Sequence, residues 1–570
     1  MSPTRRDFLK TVGAAGAVMA GSDLIADLLA QTPPGRVLES KFKGLADIAL
    51  AEAKRVGCTY SDIRFTRATN SGVNANGGNQ LAGGTVDPAD PAGFGGFGGF
   101  GGGGGGFGGG GRGFGGGGGF GGGGGRGSGP AGRSGAAGFG VRVIHSGTWG
   151  FASSPIVTED EIRRITRMAT EVAKASAIAK KTDVRLAPVP AYQTFWSTPV
   201  TKNPDSIPRE TKQDLVQKVV DAVLKNKEVQ SVNASVQVNY EWKYFASSEG
   251  SYIEQETWMT TPTFSVTARK DEVVRTRTFV GVPKTGGWEV ADRAEMLDNA
   301  ERIAAEAVEF CSAKPIDMGI KDLVLTPSHA MLTIHEIVAH ATELDRVMGY
   351  EANYAGTSFV KISDIGKLKY GSKLFNVTAD RTMPGGLATI GYDDDGVKTT
   401  QFPIVREGIL VGLQTNREMA HYINEKESRG CTSASSWRDY PFLRMPNVHV
   451  EPGGAGAPTP DEIIADTKDG VLIDGRGSYS IDQQRYNGQF GGNAFWEIKN
   501  GKKTRMVSNV TYNAITTDFW GNLDAISGRD SWRMFGTGGD AKGQPTQTNS
   551  ISHGSPWLRI KKMLVGAAYA

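Results

Sequence analysis

The segment that organises this chain covers residues 326–350 and reads TPSHAMLTIHEIVAHATELDRVMGY. Its ends carry the signals of a helix. Thr326 suits the N-cap, Pro327 suits the first helical position, and Gly349 suits the C-terminal stop. The segment therefore predicts one long helix, and the residues inside that helix carry the chemistry discussed next.

His335, Glu336 and His340 form an H-E-x-x-x-H pattern, and two of the chain's seven histidines fall in it. Two imidazoles and a carboxylate on one helix can hold a divalent metal and activate its water. Five residues of regular α-helix turn by about 500°, so the two rings would point about 140° apart. A π-bulge would bring them together, and we predict a widened turn at residues 337–339. The competing interpretation is two ordinary histidines on a packed helix.

Composition and charge exclude several classes of protein. The chain has 570 residues, a length that predicts at least two domains, and its hydrophobic content of 39% suffices for globular cores. The net charge is only +3, and we find no dense basic stripe with interleaved aromatics, so no nucleic-acid partner is expected. The three cysteines, Cys58, Cys311 and Cys431, are too widely spaced for a zinc ribbon or a disulfide framework.

The N-terminus resembles a twin-arginine export signal, which we assign to residues 1–30. Arg5 and Arg6 precede an apolar run that contains Asp23 and Asp27, and these two carboxylates argue against a stable membrane span. The alternative is a basic amphipathic helix that stays attached. The export signal predicts a periplasmic or otherwise extracytoplasmic protein, with a membrane contact only if the signal remains uncleaved.

Residues 91–140 form a low-complexity stretch that holds 32 of the chain's 79 glycines. Such a composition cannot offset its ordering entropy by burial, so we predict a disordered insert. A tolerated loop expansion is favoured over a functional Phe/Arg tether, because long surface insertions cost little free energy.

The patterns on either side of the insert predict an α+β fold of two domains. Residues 36–315 read as an N-terminal α+β domain, with a hairpin at 138–154 and a broad antiparallel sheet at 229–270. Residues 316–570 read as a mostly β C-terminal domain that carries the H-E-x-x-x-H helix.

Several separate motifs occur in the order of one known family. They are HEIVAHATELDRVMGYEANYAGTSFV at 335–360, RMPNVHVEPG at 444–453, SIDQQRYNGQFGGNAFWEIKNGK at 480–502, TYNAITTDFWGNLDAISG at 511–528, and KGQP at 542–545. In these motifs the chain resembles the TldD/PmbA family, in particular its TldD-like branch. The resemblance implies a metalloprotease that hydrolyses short or unfolded peptides. It also implies pairing with a PmbA/TldE-like subunit or in a homodimer, with the site in a cleft shared by the subunits.

Carried onto this chain, the resemblance implies that His335 and His340 bind one Zn²⁺ and that Glu336 is the general base. The family's third ligand is typically a cysteine just before the KGQP run, and this chain has none there. Asp540 is the nearest candidate, and a His/His/carboxylate set is common in catalytic zinc sites. The alternative is that Asp540 is an ordinary turn residue among glycines.

Other side chains compete for roles at this site. Glu343, three residues past His340, is either a supporting residue or an alternative ligand, and Cys431 is a weaker third option. His449 and His553 lie in family-like stretches, and we interpret both as structural histidines.

The sequence thus predicts a zinc-dependent peptidase that acts outside the cytoplasm. An extended peptide could add to the β-rich domain as a strand, with Gly356, Thr357 and Ser358 lining the groove. The alternative is a non-catalytic, peptide-binding partner subunit of a TldD/PmbA-type complex, which the missing cysteine favours. A third class, a modulator of gyrase, conflicts with the export signal and with the weak net charge.

Overall fold

The computed structural model describes residues 37–78, 134–354 and 356–567. The predicted export signal and most of the predicted glycine-rich insert lie outside these residues. Within the described ranges, none of the helices has the length and apolar character needed to cross a membrane.

The N-terminal half is built on an eight-stranded sheet with the strand order β3-β2-β1-β5-β6-β4, to which β7 and β8 add alongside β6. Its strands are β1 Tyr60–Gly78, β2 Ser134–His145, β3 Thr148–Ser154, β4 Gln193–Ser197, β5 Val229–Ser247, β6 Tyr252–Lys270, β7 Val273–Val280 and β8 Lys284–Thr285. All the pairings are antiparallel except that of β4 with β6. The predicted hairpin and the predicted broad antiparallel sheet are both confirmed.

Helices cover this sheet and bury its apolar side chains. They are α1 Lys41–Arg55, α2 Glu159–Ser176, α3 Arg209–Val223, α4 Glu289–Asp292 and α5 Met296–Cys311. Helix α2 shows why these segments are helical, because the Thr158 side chain caps it by accepting the Glu161 N–H. Helices α1 and α2 pack in one hydrophobic cluster, and α3 and α5 pack in a second.

The predicted insert at residues 91–140 extends too far at its C-terminal end. Residues 134–140 are the first half of β2 and pair with β1 and β3. The physical reason is a change of pattern, since Phe139, Val141 and Val143 alternate and are completely buried. Their burial stabilises the strand.

The C-terminal half is dominated by a ten-stranded sheet, order β18-β19-β22-β26-β10-β17-β20-β21-β9 with β23 alongside β26. These strands are β9 Lys314–Pro315, β10 Gly319–Leu325, β17 Asp469–Asp474, β18 Tyr479–Ile481, β19 Asn487–Gly491, β20 Ala494–Lys499, β21 Lys502–Ser508, β22 Val510–Ile515, β23 Leu523–Ile526 and β26 Leu558–Ala567. One large hydrophobic cluster, drawn from residues 310–565, packs against the sheet.

Smaller elements complete this half. They are the four-stranded sheet of β11 Val377–Asp380, β12 Gln401–Arg406, β13 Ile409–Leu410 and β16 Asn447–Val450, the pair β14 Thr432–Ser433 and β15 Phe442–Leu443, and the hairpin β24 Arg533–Lys542 and β25 Gln547–Ser555. The protein is therefore α+β with a sheet-rich C-terminal region, as predicted. The domain boundary at 315/316 stays a prediction.

A buried acidic turn joins the two halves. Asp394 accepts from Arg64 at 3.1 Å and from Lys243 at 2.7 Å, both on strands of the first sheet. Asp395 lies 2.8 Å from Arg142, on β2. Burial acts to raise the pKa of Asp394, but Lys243 and Arg64 outweigh it and lower the pKa to about 2. Cations of the first sheet therefore neutralise the carboxylates of this turn.

We expect Asp394→Ala to lower the free energy of unfolding by about 3–5 kcal/mol, because it removes the carboxylate that pairs with both Arg64 and Lys243 in a buried site. Asp214→Ala is the matched control, since Asp214 pairs with Lys218 on an exposed helix face. Its effect should stay below about 1 kcal/mol. Denaturant unfolding measures both, and equal effects in the two variants would contradict the role of the turn.

Candidate metal centre

The segment at 326–350 is helical at its start but is not the single helix predicted from its ends. It consists of α6 Pro327–Ile334, a π-helical turn His335–Ala339, a 3₁₀ turn His340–Thr342 and α7 Leu344–Val347. Glu343 is extended, with φ −74° and ψ 119°, and interrupts the helix. Its carboxylate is buried among cations, and the next amide, Leu344 N–H, donates to Gln414 O at 3.2 Å instead of to the helix.

The N-terminal end of the segment differs from the prediction in one detail. Pro327 occupies the first helical position and Thr326 has the extended backbone of an N-cap. The Thr326 side chain does not cap the helix, however, because its hydroxyl donates to Asp474 Oδ1 at 2.9 Å.

The predicted widened turn is confirmed. The N–H of His340 donates to the carbonyl of His335, five residues earlier, which is the hydrogen bond of a π-helix. The two imidazole rings consequently lie on the same side, with centroids 4.5 Å apart and planes at 70°. The i, i+5 spacing that a regular helix would separate is thus compatible with one shared ion.

The carboxylate of Asp540 lies beside the two histidine rings. Its Oδ1 lies 3.4 Å from His340 Nε2 and 3.8 Å from His335 Nε2, and all three side chains are buried. The three ligand atoms lie within 4.8 Å of one another. Tetrahedral ligands at zinc distances stand about 3.3 Å apart, so this set fits the ion with small adjustments. Burial lowers the pKa of both imidazoles well below the usual value, which keeps their lone pairs available.

A strand irregularity brings Asp540 to this position. Thr537 pairs with Ile551 and Asp540 pairs with Asn549, so β24 contains one residue more than β25 across this interval. Such a bulge re-aims a side chain. Arg444 Nη2 donates to Asp540 Oδ2 at 3.1 Å, which leaves Oδ1 to face the imidazoles.

Glu343 supports His340. Its Oε2 accepts from His340 Nδ1 at 2.8 Å and from Arg346, while its Oε1 accepts from Lys542 at 2.8 Å. Burial opposes ionisation of Glu343, but Lys542 and Arg346 outweigh burial and hold its pKa well below the usual value. With both oxygens engaged, Glu343 fits the supporting role, not that of an alternative ligand.

His553 contacts the ring of His335. Sequence reasoning missed this contact, because it interpreted His553 as a structural histidine. His335 Nδ1 lies 2.9 Å from His553 Nε2, and His553 Nδ1 lies 2.9 Å from the carbonyl of Val448. His449 lines a separate cleft. Cys431 is buried outside the converging group, and burial raises its pKa to about 12.

Glu336 is held by an arginine that sequence reasoning also missed. Arg485 Nη1 donates to Glu336 Oε2 at 2.8 Å, while Glu336 Oε1 stands 3.9 Å from His335 Nε2. Arg485 lies in the loop between β18 and β19 with φ +62°. Its carbonyl accepts from the Thr516 hydroxyl at 2.8 Å, which fixes the loop. Burial raises the pKa of Glu336 and Arg485 opposes that shift.

The residues predicted to line a groove lie beside this loop. The Thr357 N–H donates to Gln483 O at 2.7 Å, and the Ser358 hydroxyl donates to Ala341 O at 2.7 Å. Gly356 has φ +83° and a Cβ there would meet Gln483 O at 2.2 Å, so only glycine allows this approach. The segment therefore connects the H-E-x-x-x-H run to the loop that carries Arg485.

Three domains of one family match consecutive parts of the sequence. The PmbA/TldA metallopeptidase domain 1 matches residues 130–175, the central domain matches 202–313, and the C-terminal domain matches 319–567. Together these matches span more than half of the chain, and the C-terminal match contains all the candidate ligands.

Curated relatives agree with this assignment. A protein of Methanothermobacter thermautotrophicus named metalloprotease is 26% identical over 432 residues, which cover 76% of this chain and 89% of the relative. A zinc metalloprotease TldD homolog of Saccharolobus solfataricus is 21% identical over 445 residues, covering 75% and 90%.

Solved structures share the fold. A crystal structure from Thermotoga maritima, of a protein named as a candidate modulator of a DNA gyrase, gives a TM-score of 0.66 at 14% identity and covers 92% of this chain and 100% of that one. The structure of TldE from Thermococcus kodakarensis gives 0.62 at 14% identity, covering 92% and 99%. At such identities the likeness concerns the fold alone.

We expect the purified protein to contain about one zinc per chain, and His335→Ala and Asp540→Ala each to lose it, because each removes one of three ligands. Elemental analysis measures the content. Cys431→Ala is the control and should keep the metal. Zinc retained by Asp540→Ala but lost by His335→Ala would contradict Asp540 as the third ligand.

Proposed function

The chain belongs to the PmbA/TldD metallopeptidase family, and on that premise we propose that it is a zinc-dependent peptidase that hydrolyses short or unfolded peptides. One observation carries the proposal. Two imidazole Nε2 atoms and the Asp540 Oδ1 converge in a buried site directly beside the carboxylate of Glu336.

His335, His340 and Asp540 are the residues that would hold the ion. The donor set fits zinc, since neutral imidazoles and a carboxylate are its usual nitrogen and oxygen ligands. When bound, a zinc ion lowers the pKa of water and polarises the carbonyl of a substrate.

Glu336 is the general base in this proposal. It accepts a proton from the attacking water and donates it to the amide nitrogen as the C–N bond breaks, so the proton is conserved. Arg485 restrains Glu336 Oε2 and leaves Oε1 to face the site. Burial brings the pKa of Glu336 upward, closer to the range in which a carboxylate can both take and release a proton.

An extended peptide is the substrate that this architecture supports best. Strand β18 forms one end of the ten-stranded sheet, and the β18–β19 loop supplies Arg485 to the site. A peptide that adds beside β18 would be held by main-chain hydrogen bonds, which gives loose sequence specificity and requires an unfolded segment.

The proposal extends to partner and location. The likeness to a TldE structure supports pairing with a PmbA/TldE-like subunit, with a homodimer as the alternative. Arg5 and Arg6 ahead of an apolar run support export by the twin-arginine route to the periplasm or its equivalent. We propose no nucleic-acid partner.

A non-catalytic partner subunit is the second candidate function. The absence of the family's usual cysteine favours it. The position of Asp540 counts against it, because a carboxylate oxygen 3.4 Å and 3.8 Å from the two imidazole nitrogens supplies a ligand in place of the thiolate.

We expect Glu336→Gln to lower kcat for an unfolded fluorogenic peptide by about 10²–10⁴-fold, because the amide cannot accept the proton from water. Zinc content should be unchanged, since Glu336 is not a ligand in this proposal. Glu171→Gln, on an exposed helix face, is the control for a charge loss elsewhere. Wild-type protein that binds zinc but cleaves no peptide, alone or with a PmbA/TldE-like subunit, would favour the non-catalytic function.

A further inference from the structure

We propose that His553 is a positioning residue that fixes the tautomer and the orientation of the His335 ring, so that His335 Nε2 faces the ion. This inference rests on the proposed metal centre and goes beyond it, because His553 is not one of the converging ligands. It acts through His335, with which it shares a hydrogen bond of 2.9 Å.

The directions of the His335–His553 and His553–Val448 hydrogen bonds follow from the Val448 carbonyl. The carbonyl of Val448 can only accept, so His553 Nδ1 must carry the hydrogen and donate it. His553 is completely buried, and neither of its described hydrogen bonds is to a carboxylate, so the ring is neutral and carries one hydrogen. His553 Nε2 is then an acceptor, and His335 Nδ1 must be the donor.

The tautomer of His335 follows at once. A neutral imidazole with its hydrogen on Nδ1 has its lone pair on Nε2, and this is the atom that lies 3.8 Å from Asp540 Oδ1. Without an acceptor at position 553, the buried Nδ1–H would lose its partner. The other tautomer, with its hydrogen on Nε2 and no lone pair for the metal, would then compete.

These two hydrogen bonds also hold the His335 ring in place. His553 lies on β25, Val448 lies on β16 of the neighbouring four-stranded sheet, and His335 lies in the π-helical turn. Three elements therefore determine one ring plane. His340 has an equivalent restraint in Glu343, and Asp540 has one in Arg444, so each candidate ligand has a support of its own.

His329 provides a closely matched control. It is completely buried like His553, and it also makes two hydrogen bonds, to Gly475 O and to Tyr512 Oη. None of its described hydrogen bonds involves His335. Replacing it costs buried hydrogen bonds of the same kind without removing the acceptor of His335.

The test measures zinc affinity of the metal-free, full-length protein by competition with a chromophoric chelator at one pH. We compare wild type with His553→Leu, His553→Gln and His329→Leu, and follow thermal unfolding of each metal-free protein. His553→Leu should bind zinc about 10–100-fold more weakly, as is typical when the hydrogen-bond partner of a liganding histidine is removed. His553→Gln, whose amide oxygen can accept from His335, should recover part of that loss. His329→Leu should bind like wild type.

The outcomes separate this inference from the proposed function. Wild-type affinity in His553→Leu, or equal weakening in His553→Leu and His329→Leu, overturns the positioning role while the metal centre stands. Affinity in His553→Gln as low as in His553→Leu overturns the hydrogen-bond argument. Failure of wild type itself to bind zinc overturns the metal centre, and the role of His553 with it.

Discussion

The side chains of the candidate metal centre are buried, and this burial constrains the residues around them. A buried carboxylate without a partner costs several kcal/mol, and a buried polar ring without a hydrogen bond is also unfavourable, so each of these side chains needs a partner. Arg444 restrains Asp540, Glu343 restrains His340, and Arg485 restrains Glu336. Glu343 in turn needs Lys542 and Arg346.

Sequence periodicity predicted the elements whose stability comes from local burial. The hairpin at 138–154 and the long antiparallel strands at 229–270 both follow from alternation of apolar and polar residues. The errors arose where distant contacts decide. Glu343 interrupts a helix whose two ends carry ordinary capping signals. The Thr326 hydroxyl donates to Asp474 and does not cap the helix.

The candidate site shows the same difference between features set by local sequence and features set by distant contacts. The H-E-x-x-x-H spacing predicted the π-helical turn from rotation angles alone, because both histidines lie within one short segment. Asp540 came from its place in a family motif, not from any property of the residues around it. His553, Arg444 and Arg485 contact residues that are 218, 96 and 149 positions away in sequence, and nothing local distinguishes them from other buried histidines or paired arginines.

The hairpin of β24 and β25 has a consequence for assembly. Asp540 and Lys542 are two residues apart on β24 and so point to the same side, one toward both imidazoles and the other toward Glu343. A slip of one residue in strand pairing would turn both away from the site at once. In the proposed function, an ion would be retained only by a chain whose C-terminal hairpin has closed in the correct register, so metal content would report correct pairing of these two strands.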